Sequence, residues 1–157
     1  MATTHITPER DSVITEIFIA APRERVFTAL IDRPQALQWG SNEEYELTEW
    51  EMEPRLGGKW NFVAKKRGDT SGPELLHYGE ITELDPPRLL QYTWLASWHS
   101  DPSHQTVVRW ELTLESGGTR VKVTHSGLAP TPEDCKGYAE GWPGLVERIK
   151  QFVENNR

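Results

Sequence analysis

The C-terminal segment of this chain carries an apolar stripe at helical spacing, and no other helical stretch is long enough to cover it. Trp142, Leu145, Val146, Ile149, Phe152 and Val153 follow the i, i+3, i+4, i+7 rule of a helix with one buried face. Thr131-Pro132-Glu133-Asp134 supplies the start: a cap residue, a proline in first position, and two acids where the helix dipole favours negative charge. Pro143 interrupts the pattern, so a kink or two helical pieces is expected. About fifteen residues at 1.5 Å each span roughly 22 Å, the width of a small sheet. Such a stripe has to be buried against another layer.

That layer is legible upstream. Val13, Thr15, Ile17, Ile19 and Ala21 alternate as in a half-buried strand. Pro22 then opens a helix with Val26, Phe27, Leu30 and Ile31 on one side; Pro34 stops it, and a helical turn from Gln35 to Trp39 ends at Gly40. From Glu43 the period returns to two. Thr48, Trp50 and Met52 share a face, Gly57-Gly58 turns the chain, and Trp60, Phe62 and Ala64 return. A second turn at Gly68 to Pro73 leads to a strand through His77, Gly79, Ile81 and Glu83, broken by Asp85-Pro86-Pro87. Leu90, Tyr92, Trp94, Ala96 and Trp98 alternate next, then Val108, Trp110, Leu112 and Leu114, then Val121, Val123 and His125 beyond Gly117-Gly118. Strands joined by short turns make an antiparallel meander. The expected class is α+β: a curved antiparallel sheet of about six to seven strands wrapped around a long C-terminal helix, with two short helices after the first strand.

Residues 1–157 read as one domain, with no repeat or low-complexity linker and with residues 1–12 as a flexible extension. Cys135 is the single cysteine, so no intramolecular disulfide forms, which fits a reducing compartment. The polar N-terminus lacks the apolar core of a signal peptide, and no apolar run is long enough to span a membrane. A cytoplasmic location is expected. The net charge of −7 and the isolated basic run Lys65-Lys66-Arg67 argue against nucleic acid as a partner.

Seven tryptophans are the unusual element of the composition. An indole is large and carries an N–H that requires an acceptor, so it suits a pocket wall better than a dry core. A curved sheet that does not close fully on a helix leaves a gap of the kind small ligands occupy.

Several stretches carry a family resemblance: AAPRERVFTALID at 20–32, RLGGKWNF at 55–62, YGEITELDPPRLLQYTW at 78–94, ESGGTRVKVTHSGL at 115–128, and EGWPGLVERIKQFVEN at 140–155. In this order they resemble the START-like (SRPBCC) superfamily, and within it the branch related to the C-terminal domain of the heat-shock chaperone ATPase activator. The resemblance implies a helix-grip fold with a cavity between sheet and helix. It implies no shared catalytic set; Gly57, Gly58, Pro86, Pro87, Gly127 and Trp142 match positions that are mostly structural in the family. Superfamily members include lipid carriers, cyclases and co-chaperone domains, so fold alone does not set function. About a dozen polar residues precede Val13, with no counterpart of the activator's docking domain, which weighs against a chaperone as partner.

His125 shares the Val121/Val123 face, where an imidazole serves as general base, ligand contact or scaffold hydrogen-bonder. His77 and Glu80 have opposite parity and are expected at the surface. His99, Asp101 and His104 lie in one Ser/Pro loop that lacks the rigid surroundings of a metal site. Cys135 falls in the first turn of the last helix, where the dipole lowers a thiol pKa, but no base is near in sequence. Glu49, Glu51 and Glu53 read as the outward face of a strand. The Gly57-Gly58 turn joins two strands and therefore cannot cradle phosphate as a strand-to-helix loop does.

The reading that follows is binding of a hydrophobic or aromatic small molecule, with Trp50, Trp60, Tyr92, Trp94, Trp110, His125 and Trp142 around it, no cofactor and no metal. The alternatives are a cyclase-, dehydratase- or hydrolase-type enzyme using the same cavity, and a chaperone-regulating or stress-response module. Exposed sheet edges are compatible with a monomer or a homodimer.

Overall fold

A computed structural model describes residues 1–69 and 71–156. Eight strands and three helices alternate as β1 (Thr3–Ile6), β2 (Val13–Ile19), α1 (Arg23–Ile31), α2 (Arg33–Trp39), β3 (Tyr45–Met52), β4 (Lys59–Lys66), β5 (Leu75–Asp85), β6 (Leu89–Ala96), β7 (Thr106–Glu115), β8 (Gly118–Ser126) and α3 (Pro132–Asn155). The sheet order is β1-β2-β8-β7-β6-β5-β4-β3, and every neighbouring pair is antiparallel. The six strands from β3 to β8 form the expected meander. β2 joins its end by pairing with β8, Ile17 opposite Val121. The α+β class and the gripped C-terminal helix are as expected.

The eighth strand lies within residues 1–12, which read as an extension. Thr3–Ile6 pairs with Val13–Glu16, and the Thr4 and Thr15 hydroxyls share a hydrogen bond at 2.9 Å. Four residues alternating between exposed and half-buried have almost no hydrophobic period to read. The β2 ladder supplies the order instead. The expected turn at Gly68 to Pro73 includes Thr70, which lies outside the described residues.

Two β-bulges alter parity. In β3 the register shifts between Leu47 and Glu49, so Leu47 rather than Thr48 joins Trp50 on the inner side. In β5 it shifts between Ile81 and Glu83, which turns Glu83 outward and Leu84 toward the core. Proline placement also differs from expectation. Pro34 sits in the first turn of α2, and α1 ends at Ile31, capped by Asp32, whose backbone is extended.

α3 is one helix of 24 residues that runs through Pro143. The expected break does not occur, because buried residues on both sides hold it to the sheet: Cys135, Tyr138 and Trp142 before, Val146, Ile149 and Val153 after. Burying a large apolar side chain contributes about 1.5–3 kcal/mol, so several together outweigh the roughly 3 kcal/mol an internal proline costs. Thr131 is the N-cap, but its hydroxyl turns back to the Leu128 carbonyl at 3.4 Å. Asp134 also looks outward from the helix: it accepts from the amide and hydroxyl of Ser100, tying the β6–β7 loop to α3.

Candidate functional site

The inner faces of β3, β4, β6 and β7, together with α1, α2 and α3, border an apolar cavity. Trp50, Trp60, Tyr92, Trp94, Trp110 and Trp142 all border it. Five of these sit on four strands at inward positions, and Trp142 descends from α3. Several ring pairs are tilted or edge-on: Trp60 to Tyr92 at 4.8 Å, Trp60 to Trp94 at 5.1 Å, Trp110 to Trp142 at 5.7 Å and 78°. Such pairs contribute about 0.5–1.5 kcal/mol each beyond burial. The wall is therefore stiff.

The indole N–H groups were expected to orient a ligand, and most are already engaged. Trp94 donates to the Tyr138 hydroxyl at 2.8 Å, Trp110 to the Tyr92 hydroxyl at 2.9 Å, and Trp60 to the Thr93 carbonyl at 2.9 Å. Trp142 donates to His125 Nδ1 at 3.2 Å. A buried N–H has to be paired within the protein, so these rings present carbon to the cavity. Trp50 is the lining indole for which no described residue supplies an acceptor.

His125 does not border the cavity. It is fully buried behind the rings, accepting from Trp142 at Nδ1 and therefore donating from Nε2 to the Thr106 hydroxyl at 2.7 Å. Thr106 in turn donates to the Trp94 carbonyl at 3.3 Å. Burial lowers the His125 pKa to about 3. With both nitrogens committed, it acts as a neutral scaffold linking β6, β7, β8 and α3.

Residues outside the expected set also shape the wall. Trp39 closes one side from α2, its N–H donating to the Ala29 carbonyl at 2.8 Å. Phe62 lies on β4, stacked on His77 at 3.9 Å. Gly79 has no side chain to contribute, yet the site depends on it: a Cβ there would stand 1.9 Å from the Thr93 carbonyl oxygen and 2.7 Å from Trp60 Nε1. The Trp60 ring crosses β5 at this glycine to reach β6. A lone glycine within a strand pattern is the sequence signal for such a close approach. Gly79→Ala is expected to lower stability by about 1–3 kcal/mol through this clash. A urea titration of both proteins checks the figure.

The remaining histidines depart from expectation. His77 is buried rather than at the surface, because the inward parity of β5 and the Phe62 ring cover it. Its Nε2 accepts from Trp98 at 2.8 Å, its Nδ1 has no partner among the described residues, and burial lowers its pKa to about 3. His99 is buried against the Tyr138 hydroxyl, and burial lowers its pKa too. His104 binds the Gly127 carbonyl at 2.7 Å, while Asp101 accepts from Ser103. The three loop groups thus face different partners. Among the described residues no set of three His, Cys, Asp or Glu is arranged to hold a metal ion. At Cys135, burial raises the thiol pKa, only partly opposed by the nearby Arg10 charge. No helix among the described residues is long and apolar enough to cross a membrane.

The central void is small, about 70 Å³. An engineered core cavity that admits benzene is about 150 Å³, and drug-sized sites run from roughly 300 Å³. Anything larger than a few atoms therefore needs the wall to move. Met52, Phe62 and Leu145 are half-buried side chains of the lining, and the unbranched Met52 adapts most readily.

An antiparallel sheet holding a long helix over an apolar cavity defines a helix-grip protein of the START-like superfamily. The model of the family described as Activator of Hsp90 ATPase homolog 1-like protein matches residues 20–154, and the chain belongs to that family. A protein of Rhodobacter sphaeroides shares the fold with a TM-score of 0.80 at 19% identity, covering 99% of this chain and 97% of its own. One from Chromobacterium violaceum gives 0.77 at 21%, covering 92% and 98%. One from Mesorhizobium loti gives 0.72 at 26%, covering 93% and 98%. No curated protein matches the sequence.

Proposed function

We propose that this protein binds a hydrophobic or aromatic small molecule in the cavity between the sheet and α3. The observation that carries the reading is the lining itself: an apolar wall of packed rings whose N–H groups, Trp50 apart, are already bonded within the protein. A folded core gains little from indoles arranged around a gap, since each lost contact weakens packing. A ligand would restore those contacts. The void accommodates it by displacement of Met52 and Leu145 and a small shift of α3 from the sheet.

Binding is favoured over catalysis by the same lining. Its ionisable member is Tyr92, whose pKa burial raises above the usual phenol value, and whose oxygen accepts from Trp110. General acid–base work needs a group near the operating pH within reach of the substrate. The chaperone-regulating reading draws support from the family's description alone. A rise in the ATPase rate of the purified chaperone on mixing would favour it.

Tryptophan emission titrated with benzene, naphthalene and 4-phenylbutanol tests the binding reading. A saturable change is expected, because the added molecule touches several indoles at once. It should shrink at least several-fold in Trp142→Ala, which removes the ring between α3 and the sheet. Emission indifferent to every probe would overturn the reading.

A further inference from the structure

Trp50 stands apart from every other indole of this chain. The remaining six tryptophans all donate their N–H within the protein, to a backbone carbonyl, a phenol oxygen or an imidazole nitrogen. Trp50 Nε1 meets no acceptor among the described residues, although the residue is only 5% exposed and borders the cavity. Buried N–H groups are as a rule paired, so an exception points to a partner from outside the chain. Nor is this nitrogen sealed in packing: the unpartnered nitrogens that are sealed belong to Arg23, His77 and His99. It looks onto open space, and the space Trp50 borders is the cavity.

The local structure fixes the ring there. The bulge of β3 falls between Leu47 and Glu49, directly before Trp50, and bulges re-aim side chains beside sites. Arg33, the first residue of α2, donates from Nε to the Trp50 carbonyl at 3.1 Å and pins the backbone. A second donor is unspent on β6, on the opposite side of β4 from β3. The Tyr92 oxygen accepts from Trp110 at 2.9 Å, and no described residue accepts its own hydrogen. That oxygen is the only side-chain oxygen among the described lining residues, and none of them is acidic, basic or a histidine. The cavity thus offers hydrogen-bond donors and no charge.

We infer that Trp50 is the orienting donor of the cavity, and that the ligand is a neutral carbonyl compound with an aromatic or alicyclic body. The body lies against the rings and its oxygen accepts from Trp50 Nε1. The inference rests on the reading of the cavity as a ligand site and narrows the class of molecule it takes. A pure hydrocarbon leaves the N–H unpaired. A carboxylate is buried without a counter-charge, and an alcohol brings a hydrogen that needs an acceptor of its own. A ketone, ester or quinone oxygen satisfies the donor and leaves nothing over.

Acetophenone and α-methylstyrene separate the two claims, since they share one body and differ in whether an oxygen or a methylene group completes it. Each is titrated into the isotope-labelled full chain while the assigned indole N–H resonances are followed by NMR. Acetophenone is expected to move the Trp50 N–H resonance downfield, as a forming hydrogen bond does; the alkene, with the same ring, is not. In Trp50→Phe the ratio of ketone to alkene affinity should fall by at least about three-fold. Benzoate, the anion of the same body, should bind at least about ten-fold more weakly than the ketone. If both neutral probes bind and the Trp50 resonance answers them alike, or benzoate binds as tightly as the ketone, the inference is overturned and the cavity reading stands. If neither neutral probe binds, both fail. The resonance is read on the wild-type protein, so it decides the matter even where Trp50→Phe does not fold.

Discussion

Acidification from pH 6.5 toward 3 is expected to destabilise this protein at up to about 3 kcal/mol per pH unit. The cause is the pair His77 and His125, both buried neutral with pKa lowered to about 3. In the unfolded chain each titrates near 6.5. Between those values the unfolded state binds a proton at each site and the folded state does not, so falling pH favours unfolding. Each site adds about 1.4 kcal/mol per pH unit within the window. Above pH 6.5 both states are neutral and the term is constant. His99 acts in the same direction, its burial only partly opposed by the nearby Asp134 carboxylate. The acids with lowered pKa, Glu53, Asp101 and Glu115, are fully exposed and shape this window little. Urea midpoints at pH 7, 6, 5 and 4.5 measure the slope. His125→Gln, which keeps a donor and an acceptor, should cut it by about half. Stability indifferent to pH between 6.5 and 4.5 would mean the two imidazoles are not buried as described.

The second large effect is expected at Trp94. Its ring packs against Trp60, Phe62, His77, His125, Tyr138 and Trp142, within 5.1–6.1 Å of each centroid. Trp94→Ala should lose about 3–5 kcal/mol, because neighbours on both the sheet and α3 cannot all collapse into the space. That is a large share of a typical domain's 5–15 kcal/mol. Trp94→Phe keeps most of the packing and removes the N–H to Tyr138, a loss of about 1–3 kcal/mol. The order alanine worse than phenylalanine, read from denaturant midpoints, tests whether packing or the hydrogen bond dominates. Equal losses would assign the role of Trp94 to its N–H.

The two effects share an origin. Two hydrogen bonds lock α3 to the sheet on one side of the cavity, Trp94 of β6 to Tyr138 and Trp142 to His125 of β8. On the binding reading proposed above, movement that admits a ligand falls on the other side, where Met52, Phe62 and Leu145 are half-buried and make no such bonds. A stiff back and a yielding rim let a small void expand without unfolding the helix.

Side-chain parity is a local property, and the sequence alone determined what depends on it. Two-residue alternation placed Trp50, Trp60, Tyr92, Trp94 and Trp110 on one face, and helical spacing turned Trp142 toward them. The element order left that face one helix to grip, which set the α+β class. Tertiary structure decided what depends on partners distant in the chain. β1 forms because β2 offers a ladder, and α3 survives Pro143 because both halves are anchored. The bulge at Thr48 brings Leu47 inward, and Gly79 lets one indole cross a neighbouring strand. The same distant packing sealed His125 behind the wall that its parity faced. Periodicity reports which way a side chain points; only the packed fold reports what it meets there.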